Sequence, residues 1–263
     1  MDLGLTDKVA VVMASSKGLG KAIALELARE GAIVIISSRH QKDLELAGRE
    51  IKQQVPGASV HSKVCDMSKE EDIISFFGAI LSEFGKIDIL INNTGGPKSG
   101  GFGDIGDEDW YASFEQNLLS YIRTTRAVLP SMKEQQFGRI INVSSSSTKE
   151  VIDGLILSNT FRAGMVGFAK TLAREVANDN ILVNTVGPGR IQTNRIIELD
   201  QLEADKQQIP IEELTKQKQA GLPIGRYGQP EEFAKAVVFL ASSANTYMTG
   251  QSLVIEGGLL KAL

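Results

Sequence analysis

The stretch Val9-Ala10-Val11-Val12-Met13-Ala14-Ser15-Ser16-Lys17-Gly18-Leu19-Gly20-Lys21-Ala22-Ile23-Ala24-Leu25-Glu26-Leu27-Ala28 decides how this chain is read. Its first four residues are apolar and mostly β-branched, as in a parallel strand buried on both faces. From Lys21 the residues are strong helix formers with apolar positions at helical spacing. A strand that passes through a glycine turn into a helix N-terminus makes an anion site. The first-turn N–H groups have no intrahelical partner there, and the helix dipole favours negative charge. Gly18 and Gly20 let a diphosphate or the next strand approach the backbone closely. The turn residues Ala14, Ser15, Ser16, Lys17, Gly18, Leu19 and Gly20 are therefore candidate ligands of a phosphate group. Ala14 is expected to keep a negative φ, because a side chain at positive φ is strained.

Outward from this unit, short apolar strands keep alternating with longer helical patterns, which predicts an α/β fold with a parallel, doubly wound sheet. Gly31 ends the first helix, and Ile33-Val34-Ile35-Ile36 is the second strand. At its end stands Ser37-Ser38-Arg39. In a dinucleotide fold an acid at this place takes the ribose 2′-hydroxyl of NAD, whereas an arginine takes the 2′-phosphate of NADP. There is no acid here, so Arg39 and Lys17 together read as a selector for NADP(H). Residues 42–55 form an amphipathic helix broken by Pro56-Gly57, and 59–64 form a third strand in which His61 is a strand side chain. Asp66, with Met67 after it, lies at the carboxyl edge where ligands bind in open α/β sheets. It is placed to accept a hydrogen bond from an adenine amino group, or alternatively to cap the next helix.

Composition narrows the partners. The chain has 263 residues, 42% of them hydrophobic and 23% charged, with a formal net charge of −4. That balance suits a globular domain and argues against a nucleic-acid partner, which would want a basic face. The single Cys65 excludes an internal disulfide and, with two histidines, leaves little for a metal site. No apolar run approaches the ~20 residues of a membrane span, and Met1-Asp2-Leu3-Gly4 opens no secretory signal, so no membrane partner and a cytoplasmic location are expected.

Further motifs then follow in order. Ile87-Asp88-Ile89-Leu90-Ile91 is a fourth strand that leads into Asn92-Asn93-Thr94-Gly95. The chain resembles the short-chain dehydrogenase/reductase family, which opens with Thr-Gly-x-x-x-Gly-x-Gly and carries Asn-Asn-Ala-Gly after its fourth strand. Met13 and Ala14 replace the first pair, Gly18 and Gly20 match, and Thr94 stands for Ala. The resemblance spans nearly the whole chain. It implies a single-domain Rossmann fold over residues 1–263, with a mostly parallel, seven-stranded sheet and helices on both faces. It also implies that Asn93, Thr94 and Gly95 contact the cofactor. Asn117 matches the family's helix asparagine, which supports a proton-relay water, and Ser145 matches its active-site serine. Pro188, Gly189, Ile191 and Thr193 resemble the Pro-Gly-x-x-x-Thr segment that contacts nicotinamide. Residues 98–107 are a glycine-rich rim, and 190–228 are a charged insert expected to lid the substrate cleft. The long helices near 107–133 and 152–178, with the C-terminal edge, imply a homotetramer.

The catalytic stretch departs from the family. A tyrosine is expected thirteen residues after the serine and a lysine four later, on one helix face. From Ser145 the count reaches Ser158 and then Arg162, and the downstream match at Ala163-Gly164-Met165-Val166-Gly167 anchors the alignment without a gap. An alcohol is a far weaker acid than a phenol, and an arginine relays no proton readily. Arg162 can still hold ribose hydroxyls or present a fixed cation to an oxyanion. Water ordered by Ser145, Ser158 and Asn117 is left to deliver the proton, with Tyr227 and Lys98 near the rim as substitutes. The neighbours Ser144, Ser146 and Ser147 are expected to satisfy local backbone groups. The leading expectation is an NADP(H)-dependent oxidoreductase resembling the 3-oxoacyl-acyl-carrier-protein reductases, which interconverts a ketone and a secondary alcohol on a small-molecule or acyl-thioester substrate. Two alternatives stand beside it: a reductase of conjugated enoyl or dienoyl double bonds, and an NADP(H)-binding sensor or scaffold without turnover.

Overall fold

The computed structural model describes residues 1–262. Seven strands alternate with helices: β1 (Val9–Val12), α1 (Gly18–Arg29), β2 (Ile33–Ser38), α2 (Gln41–Gln54), β3 (Val60–Val64), α3 (Glu70–Phe84) and β4 (Ile89–Asn92). Then come α4 (Asp107–Phe114), α5 (Ser120–Glu134), β5 (Gly138–Val143), α6 (Ile156–Val176), β6 (Ile181–Pro188), α7 (Asn194–Gln207), α8 (Ile211–Ala220), α9 (Pro230–Ala241) and β7 (Ser252–Ile255). Every strand pairing is parallel, in the order β3-β2-β1-β4-β5-β6-β7. The order reverses between β1 and β4, so the connections leave the sheet toward opposite faces there and open a crevice at the carboxyl ends. No helix among the described residues is long and apolar enough to cross a membrane.

The strand sequences explain the two-sided burial. Ala10 and Val12 of β1 join one core, with Val34, Ile36, Ile89, Ile91, Ile23, Leu27, Phe233 and Val237. Val9 and Val11 point the other way and join Ile35, Leu90, Ile140, Phe76, Phe77, Val128 and Met165. A period of two thus splits one apolar run between both faces. Each such aliphatic side chain, removed wholly from water, contributes up to about 1.5–3 kcal/mol.

The turn after β1 differs from expectation at Ala14. Its φ is +45°, in the left-handed region. The loop must turn sharply between β1 and α1, and the backbone keeps the geometry that a glycine would take freely, with the methyl strained by about 1–2 kcal/mol. What holds it there is a set of hydrogen bonds. Asn93 Nδ2 donates to the carbonyls of Met13 (3.3 Å) and Ala14 (3.1 Å), and the Ala14 N–H donates to Ser37 Oγ (3.3 Å). Gly20 is required for contact: a Cβ there would lie 2.6 Å from the Ala14 carbonyl oxygen and 2.8 Å from Asn93 Nδ2. It packs α1 onto the sheet and does not face the crevice.

Candidate active site

One cavity of about 860 Å³ runs along the carboxyl ends of the strands. This lies within the range of small-molecule and cofactor sites. At one end it is walled by Ser16, Lys17, Gly18 and Leu19 of the turn, by Arg39 and by Asp66 and Met67. Lys17 precedes α1 without capping it through its side chain, and the first turn of α1 holds no acid. The helix end therefore offers N–H groups and positive dipole to an anion from outside the chain. Lys17 and Arg39 are both exposed, and among the described residues neither has a carboxylate within ion-pair distance. These features fit a phosphorylated dinucleotide. Ser15 does not face this cavity. Its hydroxyl donates to the Val12 carbonyl (2.7 Å) and accepts from the Ser37 N–H (2.9 Å), tying β1 to β2.

Asp66 lines the cavity, and its carboxylate closes a turn before α3 without capping that helix, whose N-cap is Lys69. Its Oδ1 accepts from the Ser68 N–H (3.1 Å) and hydroxyl (2.8 Å), two residues before α3, while the residue also lines the cavity. Burial raises its pKa, but the two Ser68 hydrogen bonds and Arg39 outweigh it and hold the carboxyl below the usual range. His40 and Asp43, which the sequence did not single out, join this wall. They lie one and four residues beyond Arg39, where the start of α2 turns back over the crevice.

The other end gathers Ser145, Ser158 and Arg162 with Asn93, Thr94, Gly95, Pro188, Gly189, Ile191 and Thr193. The α6 helix sets Ser158 and Arg162 one turn apart on one face. The Ser158 side chain has no protein hydrogen-bond partner among the described residues and is 8% exposed. Arg162 is 4% exposed. Its Nη1 donates to the Val143 carbonyl (3.1 Å) and to the Tyr121 hydroxyl (3.3 Å), and Tyr121 donates to the same carbonyl (2.9 Å). Tyr121 was not legible as a site residue. It comes from α5 and reaches the end of β5 through a contact that no local pattern marks.

Asn117 lies beneath the cavity and outside its wall. The backbone opens into a π-helical turn at Glu115–Leu119, as such turns often do near functional sites. Its side chain is fully buried and donates to Thr94 Oγ1 and the Gly95 carbonyl, both at 2.9 Å. The amide group thus braces the loop after β4 and is not free to bind water in the cleft. The serine run also departs from expectation. Ser145 is the one that meets local backbone, accepting from the Ser147 N–H (3.1 Å), whereas the hydroxyls of Ser144 and Ser147 have no partner. Their turn is closed instead by Thr148, whose hydroxyl donates to the Ser145 carbonyl (2.9 Å).

Neither suggested substitute donor reaches the site. Tyr227 is buried and donates to Asp200 Oδ2 (2.8 Å); burial, then Asp200, pushes its phenol up to about 12. Lys98 is bound to Asp109 (2.7 Å) outside the cavity wall.

Residues 190–228 leave the sheet edge and return to the same point. The Gln192 N–H donates to the Gly228 carbonyl (2.8 Å), and the Gly228 N–H donates to Arg190 (3.0 Å). Between these ends α7 and α8 stack over the cavity and are joined by Lys218 and Glu203 (2.6 Å). Arg195 crosses from α7 to the facing loop, donating to the Pro97 carbonyl (2.8 Å) and Ser99 Oγ (3.2 Å). The rim itself is anchored by the Gly100 N–H to the Gly154 carbonyl (2.6 Å).

A family model described as Enoyl-(Acyl carrier protein) reductase matches residues 13–260. The chain is 33% identical over 259 residues to the NADPH-dependent reductase BacG of Bacillus subtilis, covering 98% of this chain and all of that one. It is 36% identical over 256 residues to the 3-oxoacyl-[acyl-carrier-protein] reductase FabG of Haemophilus influenzae, covering 96% of this chain and 98% of that one. Among solved structures, the L-sorbose reductase of Gluconobacter frateurii complexed with NADPH and L-sorbose superposes with a TM-score of 0.94 at 32% identity, with full coverage of both chains. By its parallel sheet, its glycine turn at the switch point and these relatives, the chain belongs to the short-chain dehydrogenase/reductase family.

Proposed function

We propose that the protein is an NADP(H)-dependent oxidoreductase that interconverts a ketone and a secondary alcohol. The observation that carries this reading is the single cavity that joins two unpaired cations, Lys17 and Arg39, to the Ser145, Ser158 and Arg162 cluster. Lys17 and Arg39 hold the 2′-phosphate, the N-terminus of α1 receives the diphosphate, and Asp66 with Met67 borders the adenine. Asn93, Thr94, Gly95, Pro188, Gly189, Ile191 and Thr193 enclose the nicotinamide end. When bound, the cofactor supplies or accepts the hydride. The chain's own residues position the carbonyl, stabilise charge on its oxygen and exclude water.

Ser145 and Ser158 offer hydroxyl donors to the carbonyl oxygen, and the Arg162 cation stabilises negative charge there. Neither replaces a phenol as a proton source, so the proton comes from water that these hydroxyls order. Losing a positioned acid typically costs ~10²–10⁴ in rate, well within what proximity and electrostatics leave standing. Ser158 and Arg162 also favour a second reading, reduction of a conjugated double bond. There the charge develops on an enolate oxygen, which a fixed cation can hold without immediate protonation. Residues 190–228 act as the substrate lid. A homotetramer through α4, α5 and α6 would cover Trp110, Phe114 and Phe161, whose rings pack at 5.7 and 6.1 Å on the outer face.

The test is to titrate the protein with NADPH and NADH and then screen ketones, enones and acyl thioesters for NADPH oxidation. Preference for NADPH with turnover of a ketone is expected. Turnover confined to enones selects the second reading. Tight NADPH binding with no oxidation across the screen shows a sensor or scaffold and overturns both.

A further inference from the structure

Among the described residues two buried arginines have no carboxylate partner, and they differ. Arg139, at the amino end of β5, is 3% exposed. Its Nε, Nη1 and Nη2 all donate, to the carbonyls of Ser242 (3.3 Å), Gly138 (2.9 Å), Asn180 (3.1 Å) and Asn245 (3.2 Å). That cation is satisfied by backbone and serves the fold. Arg162, at the carboxyl end and in the cavity wall, uses Nη1 alone. Among the described residues its Nε and Nη2 have no protein acceptor and no carboxylate lies within ion-pair distance. Neither atom is sealed from the cavity, so a ligand there can reach both.

The other cations at the Arg162 end of the cavity are accounted for. Arg190 is paired with Asp200 and Lys218 with Glu203, while Arg195 is bound to the Pro97 carbonyl. The carboxylates nearest in sequence, Glu150 and Asp153, are exposed at the rim. The α6 helix starts at Ile156 with no side-chain cap and no acid in its first turn, so its positive end faces the same region. Ser158, small where the family carries a large phenol, leaves room beside the guanidinium and adds a free hydroxyl. Nη1 is pinned by Val143 and Tyr121, which fixes the plane of the group. The edge formed by Nε and Nη2 is then the two-pronged donor that matches a carboxylate. Val151, Ile152, Leu155, Ile196, Leu199 and Leu222 make the remaining wall of this end apolar.

We propose that Arg162 and Ser158 form a carboxylate-binding subsite, so that the substrate is a free oxo acid with an apolar body and not a neutral ketone. The inference rests on the reductase reading for its substrate, but its test does not require turnover. Calorimetry of the NADPH complex is run with short 2-oxo acids and with their methyl esters. The acids should bind on the order of 30-fold more tightly, about 2 kcal/mol. Arg162→Lys restores the family's ammonium, which keeps the charge but removes the fork. It should leave NADPH affinity within about threefold and reduce the preference for acid over ester to about threefold or less. Ser158→Ala should weaken binding of the acid about threefold more than it weakens binding of the ester. Equal binding of acid and ester by the unaltered protein overturns the inference. So does an Arg162→Lys protein that binds NADPH much more weakly while keeping the acid preference, because Arg162 would then be a ribose clamp. Acid preference without any NADPH oxidation keeps the subsite and removes the reductase reading.

Discussion

Replacing Lys17 with Ser and Arg39 with Asp should turn the cofactor preference around. Both side chains are exposed and neither has an ion pair within the protein; Arg39 acts otherwise only through its charge on Asp66, an effect that NADPH and NADH would share. A loss confined to NADPH therefore reports on the 2′-phosphate. A charge-assisted hydrogen bond contributes about 1.5–3 kcal/mol, and solvent at this open end puts each toward the lower figure. At about 1.4 kcal/mol per tenfold, each substitution should raise the Kd ratio of NADPH to NADH by roughly 10-fold, and the pair by roughly 100-fold. Arg39→Asp adds repulsion toward the 2′-phosphate and an acceptor for a 2′-hydroxyl, so NADH affinity should hold or rise. The assay is fluorescence titration with each nucleotide at two salt concentrations. Screening over about 10 Å at 0.1 M salt should weaken NADPH more than NADH in the unaltered protein, and this difference should vanish in the double variant. Equal losses for the two nucleotides, with no change in salt dependence, would refute the assignment of these charges to the 2′-phosphate.

Three further outcomes are expected. Tyr121→Phe removes the hydroxyl that bonds the Val143 carbonyl and receives Arg162; urea unfolding should show a loss of about 1–2 kcal/mol, together with weaker acid binding in the calorimetric assay. Ala14→Gly relieves a left-handed alanine at an entropic cost of about 0.4–1 kcal/mol, so the urea midpoint should hold or rise slightly; a loss above about 1 kcal/mol would show that the methyl is needed. Burial, then Asp72 and Asp66, pushes the Cys65 thiol up to about 12 from 9.0. The thiol stays protonated in the fold while the unfolded chain ionises above 9, so its contribution to stability is complete below that pH and is lost as pH rises toward 12. Cys65→Ser should flatten that slope, and native Cys65 should resist alkylation at pH 8.

The parts of the fold set by local pattern were legible. Apolar runs bounded by glycine and proline located the strands. The strand, glycine turn and helix at the Lys17 end were legible for the same reason, since they are neighbours in the chain. What was not legible depended on contacts between distant segments. Ser15 looked like a ligand in the glycine turn, but β2 claims its hydroxyl from 22 residues away. The side-chain amide of Asn117 is claimed by the loop after β4, a contact its local sequence does not mark. Tyr121 carried no signal, because its role exists only once α5, α6 and the end of β5 meet. Ala14 shows the converse, a backbone geometry held by its surroundings against the preference of its own side chain.

Arg195 spans the gap between α7 and the loop after β4, whereas Lys17 and Arg39 stand open at the far end. The two halves of the cavity therefore differ in how they are reached. On the proposed function, a nucleotide would enter from the Lys17 side with the Arg195 bridge intact, and a molecule bound for Arg162 would wait for it to part. The cycle this implies is sequential: nucleotide enters first and leaves last, and the opening of one arginine bridge paces the release of product. In steady-state kinetics the nucleotides should compete with each other, while the reduced product inhibits noncompetitively against NADPH.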